Sequence, residues 1–156
     1  MRDTCGAEYY GRYVDDFVVV HQDKQFLLDL IPKLKNYLKT NLMLTLHPRK
    51  VYLQHYSKGV KFIGAVAKPG REYVANRTKG NFYEKLQMFN KLAQEDKNYV
   101  KNNAEHFVSS INSYLGFMIH YSTYKIRRKM LLNDIAPEWK NVIMLDDKMA
   151  KIRLKK

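Results

Sequence analysis

Two adjacent carboxylates, Asp15 and Asp16, stand between an aromatic run and a valine run, in the order Tyr13-Val14-Asp15-Asp16-Phe17-Val18-Val19-Val20. Acidic groups held side by side repel one another unless a cation lies between or beside them. Oxygen donors of this kind suit a hard divalent ion such as Mg²⁺ or Mn²⁺; Mg²⁺ in particular keeps several waters and leaves room for phosphate oxygens. Two such ions about 3.5–4 Å apart activate an attacking hydroxyl and stabilise the departing oxygen of a phosphoryl transfer. Inside a strand, neighbouring side chains point to opposite faces, so the pair acts together only where a turn breaks the alternation. The flanks predict that turn. Tyr9, Tyr10, Tyr13 and Val14 lead into the pair and Phe17–Val20 continues as β-branched strand, a β-hairpin within the first twenty residues. Tight hairpin turns favour glycine at the second position, and its absence here counts against a passive loop. Asp146-Asp147 is the same dipeptide in another context. Lys148-Met-Ala-Lys-Ile152 follows it, which predicts a helix start with acidic groups at its N-terminus, and it receives no catalytic role.

The elements that must position the pair follow from periodicity. Asp23 is placed to cap a helix whose apolar residues Phe26, Leu27, Leu30, Ile31, Leu34, Tyr37 and Leu38 recur at three and four. Pro32 falls inside that pattern and is expected to kink or split it. Leu42–Leu46 alternates like a short strand and stops at His47-Pro48. Val51–Tyr56, Val60–Val66 and Tyr73–Ala75 read as further short strands, with breaks at Ser57-Lys58-Gly59 and Lys68-Pro69-Gly70-Arg71. After Arg77-Thr78-Lys79-Gly80 the period becomes helical, over about 81–94 and again over about 105–124. The second helix carries the stripe Phe107, Val108, Ile111, Tyr114, Leu115 and Met118. A basic segment, Lys125-Ile-Arg-Arg-Lys-Met130, continues from it, and a tail with Trp139 and several lysines ends the sequence. The expected architecture is α+β, with a mixed region over 1–78 and a helical one over 79–156.

With 46% apolar and 13% aromatic residues, the 156-residue chain has the means to build a core. Its apolar runs are far too short to cross a membrane, and the N-terminus lacks the apolar stretch of a signal peptide. One cysteine, Cys5, excludes an intramolecular disulfide framework and points to a reducing, cytoplasmic compartment. The net charge of +13, from 28 Lys and Arg against 15 Asp and Glu, calls for a polyanionic partner. Nucleic acid fits better than an anionic membrane, because the helices carry mixed charge rather than a cleanly basic face. The five histidines show no metal-ligand spacing and read as structural.

Tyr13-Val14-Asp15-Asp16-Phe17 resembles the Tyr-x-Asp-Asp motif of reverse transcriptases, the RNA-directed DNA polymerases. Three further blocks follow in that family's order. Leu44-Thr-Leu-His-Pro-Arg-Lys50 looks like the block after the catalytic hairpin, which ends in lysine. Gly59-Val-Lys-Phe-Ile-Gly-Ala-Val66 looks like the element called the primer grip. Ser110-Ile-Asn-Ser-Tyr-Leu-Gly-Phe117, with His120 and Tyr121, resembles the thumb helix of the bacterial branch. That branch holds the enzymes of group II introns, retrons and diversity-generating retroelements, and the last look closest. The resemblance spans roughly residues 9–130.

What the resemblance implies is specific. Residues 1–78 would be the C-terminal part of a polymerase palm, an antiparallel sheet with a packed helix, and 79–156 an all-helical thumb with a basic tail. Asp15 would bind Mg²⁺ or Mn²⁺ directly, with Asp16 a weaker or outer ligand. Tyr13 would lie along the sugar of the incoming nucleotide or the primer end. Lys50 would sit near the triphosphate, and Phe62, Ile63 and Gly64 would hold the primer strand. Lys101, Lys125, Arg127, Arg128 and Lys129, with Tyr121 and Tyr124 between, would track a phosphate backbone. The partners would be an RNA template, a DNA primer and a deoxynucleoside triphosphate. The family's third aspartate and its fingers have no counterpart here. Before Asp15 the only acidic residues are Asp3 and Glu8, outside any acidic-apolar strand pattern. The expectation is therefore a fragment that does not polymerise alone and that self-associates through surfaces the absent part would cover. The competing reading is a maturase-like module that binds RNA or an RNA–DNA duplex with its aspartates idle. An unrelated basic α+β domain is the third.

Overall fold

The computed structural model describes residues 6–155. The protein is α+β, with five α-helices and small antiparallel sheets among the described residues. Backbone contacts divide it into two compact units, Met1–Ile63 and Gly64–Lys156. Asp3 and Cys5 lie outside the described residues.

The first unit opens with the expected hairpin, β1 (Tyr9–Tyr13) and β2 (Asp16–Val20), paired in antiparallel register from Tyr9↔Val20 to Tyr13↔Asp16. Helix α1 (Lys24–Leu42) follows, and Asp23 caps it by accepting the Gln25 N–H at 2.7 Å. Leu30 and Leu34 form the buried part of its apolar stripe. Pro32 neither splits the helix nor ends it. It occupies the exposed face, where water can satisfy the carbonyl that its missing N–H leaves open. The strand expected at Leu42–Leu46 is absent. Instead Met43 adopts a left-handed φ of +54° and the Leu44 N–H returns to the Leu38 carbonyl at 3.0 Å, closing the helix. Val51–Tyr56 is likewise not a strand. It connects two single 3₁₀ turns, Pro48–Lys50 and Tyr56–Lys58, each capped by a histidine: His47 Nδ1 accepts the Arg49 N–H and His55 Nδ1 accepts the Ser57 N–H. The short β3 (Val60–Phe62) ends the unit. Among the described residues its buried apolar side chains are few, Ala7, Leu30 and Leu34, whereas Tyr13, Tyr37, Met43, Tyr52 and Tyr56 are among those exposed.

The second unit begins with the hairpin β4 (Ala65–Lys68) and β5 (Arg71–Val74), turning at the predicted Pro69-Gly70. Helices α2 (Asn76–Glu95) and α3 (Tyr99–Met118) carry the core. The segment Arg77–Gly80, after which the periodicity predicts helix, already belongs to the start of α2. Helix α3 starts earlier than its apolar stripe and stops at Met118, whose carbonyl accepts the Thr123 hydroxyl at 2.6 Å. A short α4 (Tyr124–Lys129) then runs into a π-turn at Met130–Asp134, followed by α5 (Pro137–Lys140). The final residues form a hairpin, β6 (Ile143–Leu145) and β7 (Ile152–Leu154), in the region expected to be helical. Asp146 does not start a helix. Its Oδ1 accepts the Ala150 and Lys151 N–H groups at 2.6 and 3.0 Å and organises the loop of that hairpin. One contiguous apolar cluster, from Val74 to Ile152, fills the unit, with Phe82, Phe89, Phe107, Ile111 and Trp139 at its centre.

Candidate functional site

The aspartate pair sits at the tip of β1–β2. Val14 and Asp15 are the two turn residues, and Asp16 opens β2 directly opposite Tyr13. Directly paired residues share a face of the ladder, so Tyr13 and Asp16 are neighbours on one side while Arg12 and Phe17 pair on the other. Val14 has φ +49°. That left-handed conformation costs an L-residue roughly 1–2 kcal/mol, and a β-branched residue there is an outlier. Strain of this kind gathers at functional sites. Arg12 Nε donates to the Val14 carbonyl at 2.9 Å, a charged brace that offsets part of the cost. At the far end of the ladder, the hydrogen bond from the Tyr9 phenol to Glu8 raises the Tyr9 pKa above its ordinary value, and the Glu8 charge adds to the shift.

Both carboxylates are exposed, and neither takes part in a hydrogen bond or ion pair among the described residues. Two unpartnered carboxylates at a two-residue turn are suitable donors for a hard divalent cation. Among the described residues no group of three or more His, Cys, Asp or Glu side chains gathers around such an ion.

The other candidates are more dispersed. Lys50 closes the Pro48–Lys50 turn, exposed, its N–H bonded to the His47 carbonyl at 3.0 Å, and it makes no ion pair with either aspartate. Phe62 is half-buried at the end of β3, and Ile63 is exposed with φ +48°. Gly64 belongs to the second unit, and its own surroundings require glycine. It has φ +75°, and a Cβ there would meet Thr78 Oγ1 at 3.1 Å and the Phe117 ring at 3.3 Å. Its carbonyl accepts both the Ala75 N–H and the Thr78 hydroxyl at 2.9 Å. Gly64→Ala is expected to destabilise the second unit by about 2–3 kcal/mol, combining left-handed strain with crowding. Urea unfolding followed by circular dichroism checks this, and a cost below about 0.5 kcal/mol would contradict it.

The basic segment forms a distinct surface. Tyr124, Lys125, Arg128 and Lys129 line, with Leu132 and Asn133, an open depression of about 390 Å³. The three cations are exposed and make no ion pair among the described residues. Arg127 departs from its expected role as a backbone contact. It is 7% exposed, and its guanidinium donates to Thr123 Oγ1 and to the carbonyls of Lys148 and Met149. Helical spacing puts it on the inner face with Thr123, Met130 and Leu131, all buried. Lys101 is exposed in the first turn of α3 and does not line the depression.

Sequence reasoning left out Arg12 and Asn133. A cation directly before the Tyr-x-Asp-Asp motif was the available signal for Arg12. Asn133 had none, because a π-turn placed it. Among the described residues no helix is long and apolar enough to cross a membrane. Compared with models of protein families, with curated proteins and with solved structures, the chain matches none of them.

Proposed function

We propose that this chain serves RNA-templated DNA synthesis, its β1–β2 hairpin supplying carboxylates for nucleotidyl transfer and its second unit gripping an RNA–DNA duplex. The observation that carries the reading is the hairpin tip. The residues resembling the polymerase motif lie on a strained two-residue turn, with Asp15 and Asp16 unpartnered and Tyr13 opposite Asp16. In such a site Asp15 and Asp16 would hold Mg²⁺ or Mn²⁺. When bound, the ions would lower the barrier to attack by a primer hydroxyl on a nucleoside triphosphate. Tyr13 offers an aromatic face beside them to a sugar. Lys125, Arg128 and Lys129, with Tyr124, offer phosphate contacts and an apolar surface for a ribose.

A second reading, a duplex- or RNA-binding module with idle aspartates, is favoured by the same three unpaired cations lining one depression. Both readings are tested by fluorescence anisotropy of the full chain with a labelled RNA–DNA hybrid, with and without Mn²⁺, over a salt series. Neutralising about four phosphates predicts that affinity falls roughly 100-fold between about 50 and 200 mM salt. The polymerase reading further predicts that Mn²⁺ tightens binding and that Asp15→Asn removes that gain. If Asp15→Asn changes nothing while the salt dependence stays steep, the binding module is the better account. Absence of binding at low salt sinks both.

A further inference from the structure

We infer that Arg12 is a positioning residue for the aspartate pair: its guanidinium, bonded to the Val14 carbonyl, holds the turn in the left-handed conformation that sets Asp15 and Asp16 at the hairpin tip. The inference rests on the nucleotidyl-transfer reading for its purpose, but its physics is local. Tyr13↔Asp16 is the last pair of the ladder, so only Val14 and Asp15 join the strands. Two-residue turns that match the twist of the strands need positive φ at the first central residue, and glycine or asparagine normally supplies it. Here a valine supplies it, at φ +49°. A β-branched residue does not stay in that region unless its surroundings hold it there.

The brace within reach is the 2.9 Å bond from Arg12 Nε to the Val14 carbonyl. Its register matters as much as its length. Arg12 pairs with Phe17, one step from the Tyr13–Asp16 pair, so its side chain leaves the ladder on the opposite face. It can therefore reach over the turn without filling the space beside Tyr13 and Asp16. Valine with a brace has a consequence that glycine lacks. Glycine would populate the turn along with many other conformations, whereas a braced valine has one. A donor pair that must meet a cation gains from that restriction, because the ordering is complete before the ion arrives.

The test uses isotopically labelled full-length chain in solution. The φ of Val14 is read from backbone couplings and carbon shifts. Mn²⁺ affinity is read from broadening of the Tyr13–Phe17 amide signals, with Asp15→Asn as the control that removes it. Arg12→Ala is expected to release Val14 from positive φ and to weaken Mn²⁺ by about tenfold, the order that one charge-assisted hydrogen bond supports. Adding Val14→Gly to Arg12→Ala is expected to restore both the turn and most of the affinity, since glycine reaches positive φ without help. If Arg12→Ala leaves the Val14 φ and the affinity unchanged, the positioning role is overturned and the nucleotidyl-transfer reading survives. If affinity falls but Val14→Gly does not restore it, Arg12 acts through charge alone and the role assigned to the turn is overturned. If the unsubstituted chain shows no Mn²⁺ broadening at the tip, the nucleotidyl-transfer reading fails and the positioning role falls with it.

Discussion

Trp139→Ala is expected to cost the second unit about 3–5 kcal/mol, the range for truncating a fully buried aromatic. The indole is 0% exposed. It stacks on Phe107 with centroids 4.0 Å apart and planes 6° apart, and it meets Phe89 and Tyr99 edge-on at 5.9 and 6.2 Å. Its Nε1–H donates to the Phe89 carbonyl at 3.2 Å. Truncation therefore removes a large apolar surface, leaves a void between α2, α3 and α5, and breaks a buried hydrogen bond. Trp139→Phe separates these contributions. It keeps most of the stacking and should cost about 1–2 kcal/mol, from the lost donor and the smaller ring. Urea unfolding followed by far-ultraviolet circular dichroism measures both. This is the sole tryptophan, so its fluorescence reports the unsubstituted chain only. A cost below about 1 kcal/mol for the alanine variant would mean that Trp139 does not fill the centre of this core.

Trp139 also shows where the sequence was legible. Periodicity over many residues was readable: α1 with its Asp23 cap, the stripe of α3 and the alternation of β1–β2 all emerge from spacing, and with them the α+β class. The tail was not. Strands β6 and β7 have three residues each, too short for an alternation to stand out, and a tryptophan among lysines reads as a loose end until its partners are known. Nor can pattern reveal what tertiary contacts decide. Arg127 is one of four cations in the five residues Lys125–Lys129, and composition alone makes it a surface charge. The helical phase it shares with Thr123, Met130 and Leu131 buries it, and the carbonyls of Lys148 and Met149 that take up its guanidinium are tertiary partners no spacing announces. For the candidate site, the hairpin and the placement of Asp15 and Asp16 at its tip were readable from their flanks. The left-handed Val14 was not, because its side chain argues for strand and only the closing geometry of the ladder forces the turn.

Two asparagines supply the other large expected effect. The Asn90 amide donates to the Asp134 carbonyl at 2.7 Å while its Oδ1 accepts the Ala136 N–H at 3.0 Å. The Asn112 amide donates to the Ile152 carbonyl at 3.0 Å and accepts the Ile152 N–H at 2.8 Å. A carboxamide copies a peptide group, with donor and acceptor side by side. Each asparagine therefore acts as one rung of a backbone ladder, Asn90 joining α2 to the segment after the π-turn and Asn112 joining α3 to β7. Alanine at either position leaves a backbone N–H and C=O without a side-chain partner, in a buried setting at Asn90 and a part-buried one at Asn112. The expected cost is about 2–4 kcal/mol each, from two orphaned groups at about 1–2 kcal/mol apiece. Asn112→Asp tests the geometry independently. It keeps the acceptor for the Ile152 N–H but sets a carboxylate against the Ile152 carbonyl, which raises the folded-state pKa of the introduced acid above its unfolded value near 3.9. The destabilisation is then full above the folded pKa and relieved as pH falls through it toward the unfolded one. Stability that rises on acidification in Asn112→Asp, relative to the unsubstituted chain, is the expected result; a parallel pH profile would mean the side chain does not face that carbonyl. The same contact bears on the basic surface, because the loop between β6 and β7 holds Arg127 through the Lys148 and Met149 carbonyls. Releasing β7 with Asn112→Ala should therefore loosen α4 and lower affinity for an RNA–DNA hybrid, whereas Asn90→Ala, which touches neither element, should lower stability and leave that affinity near its original value.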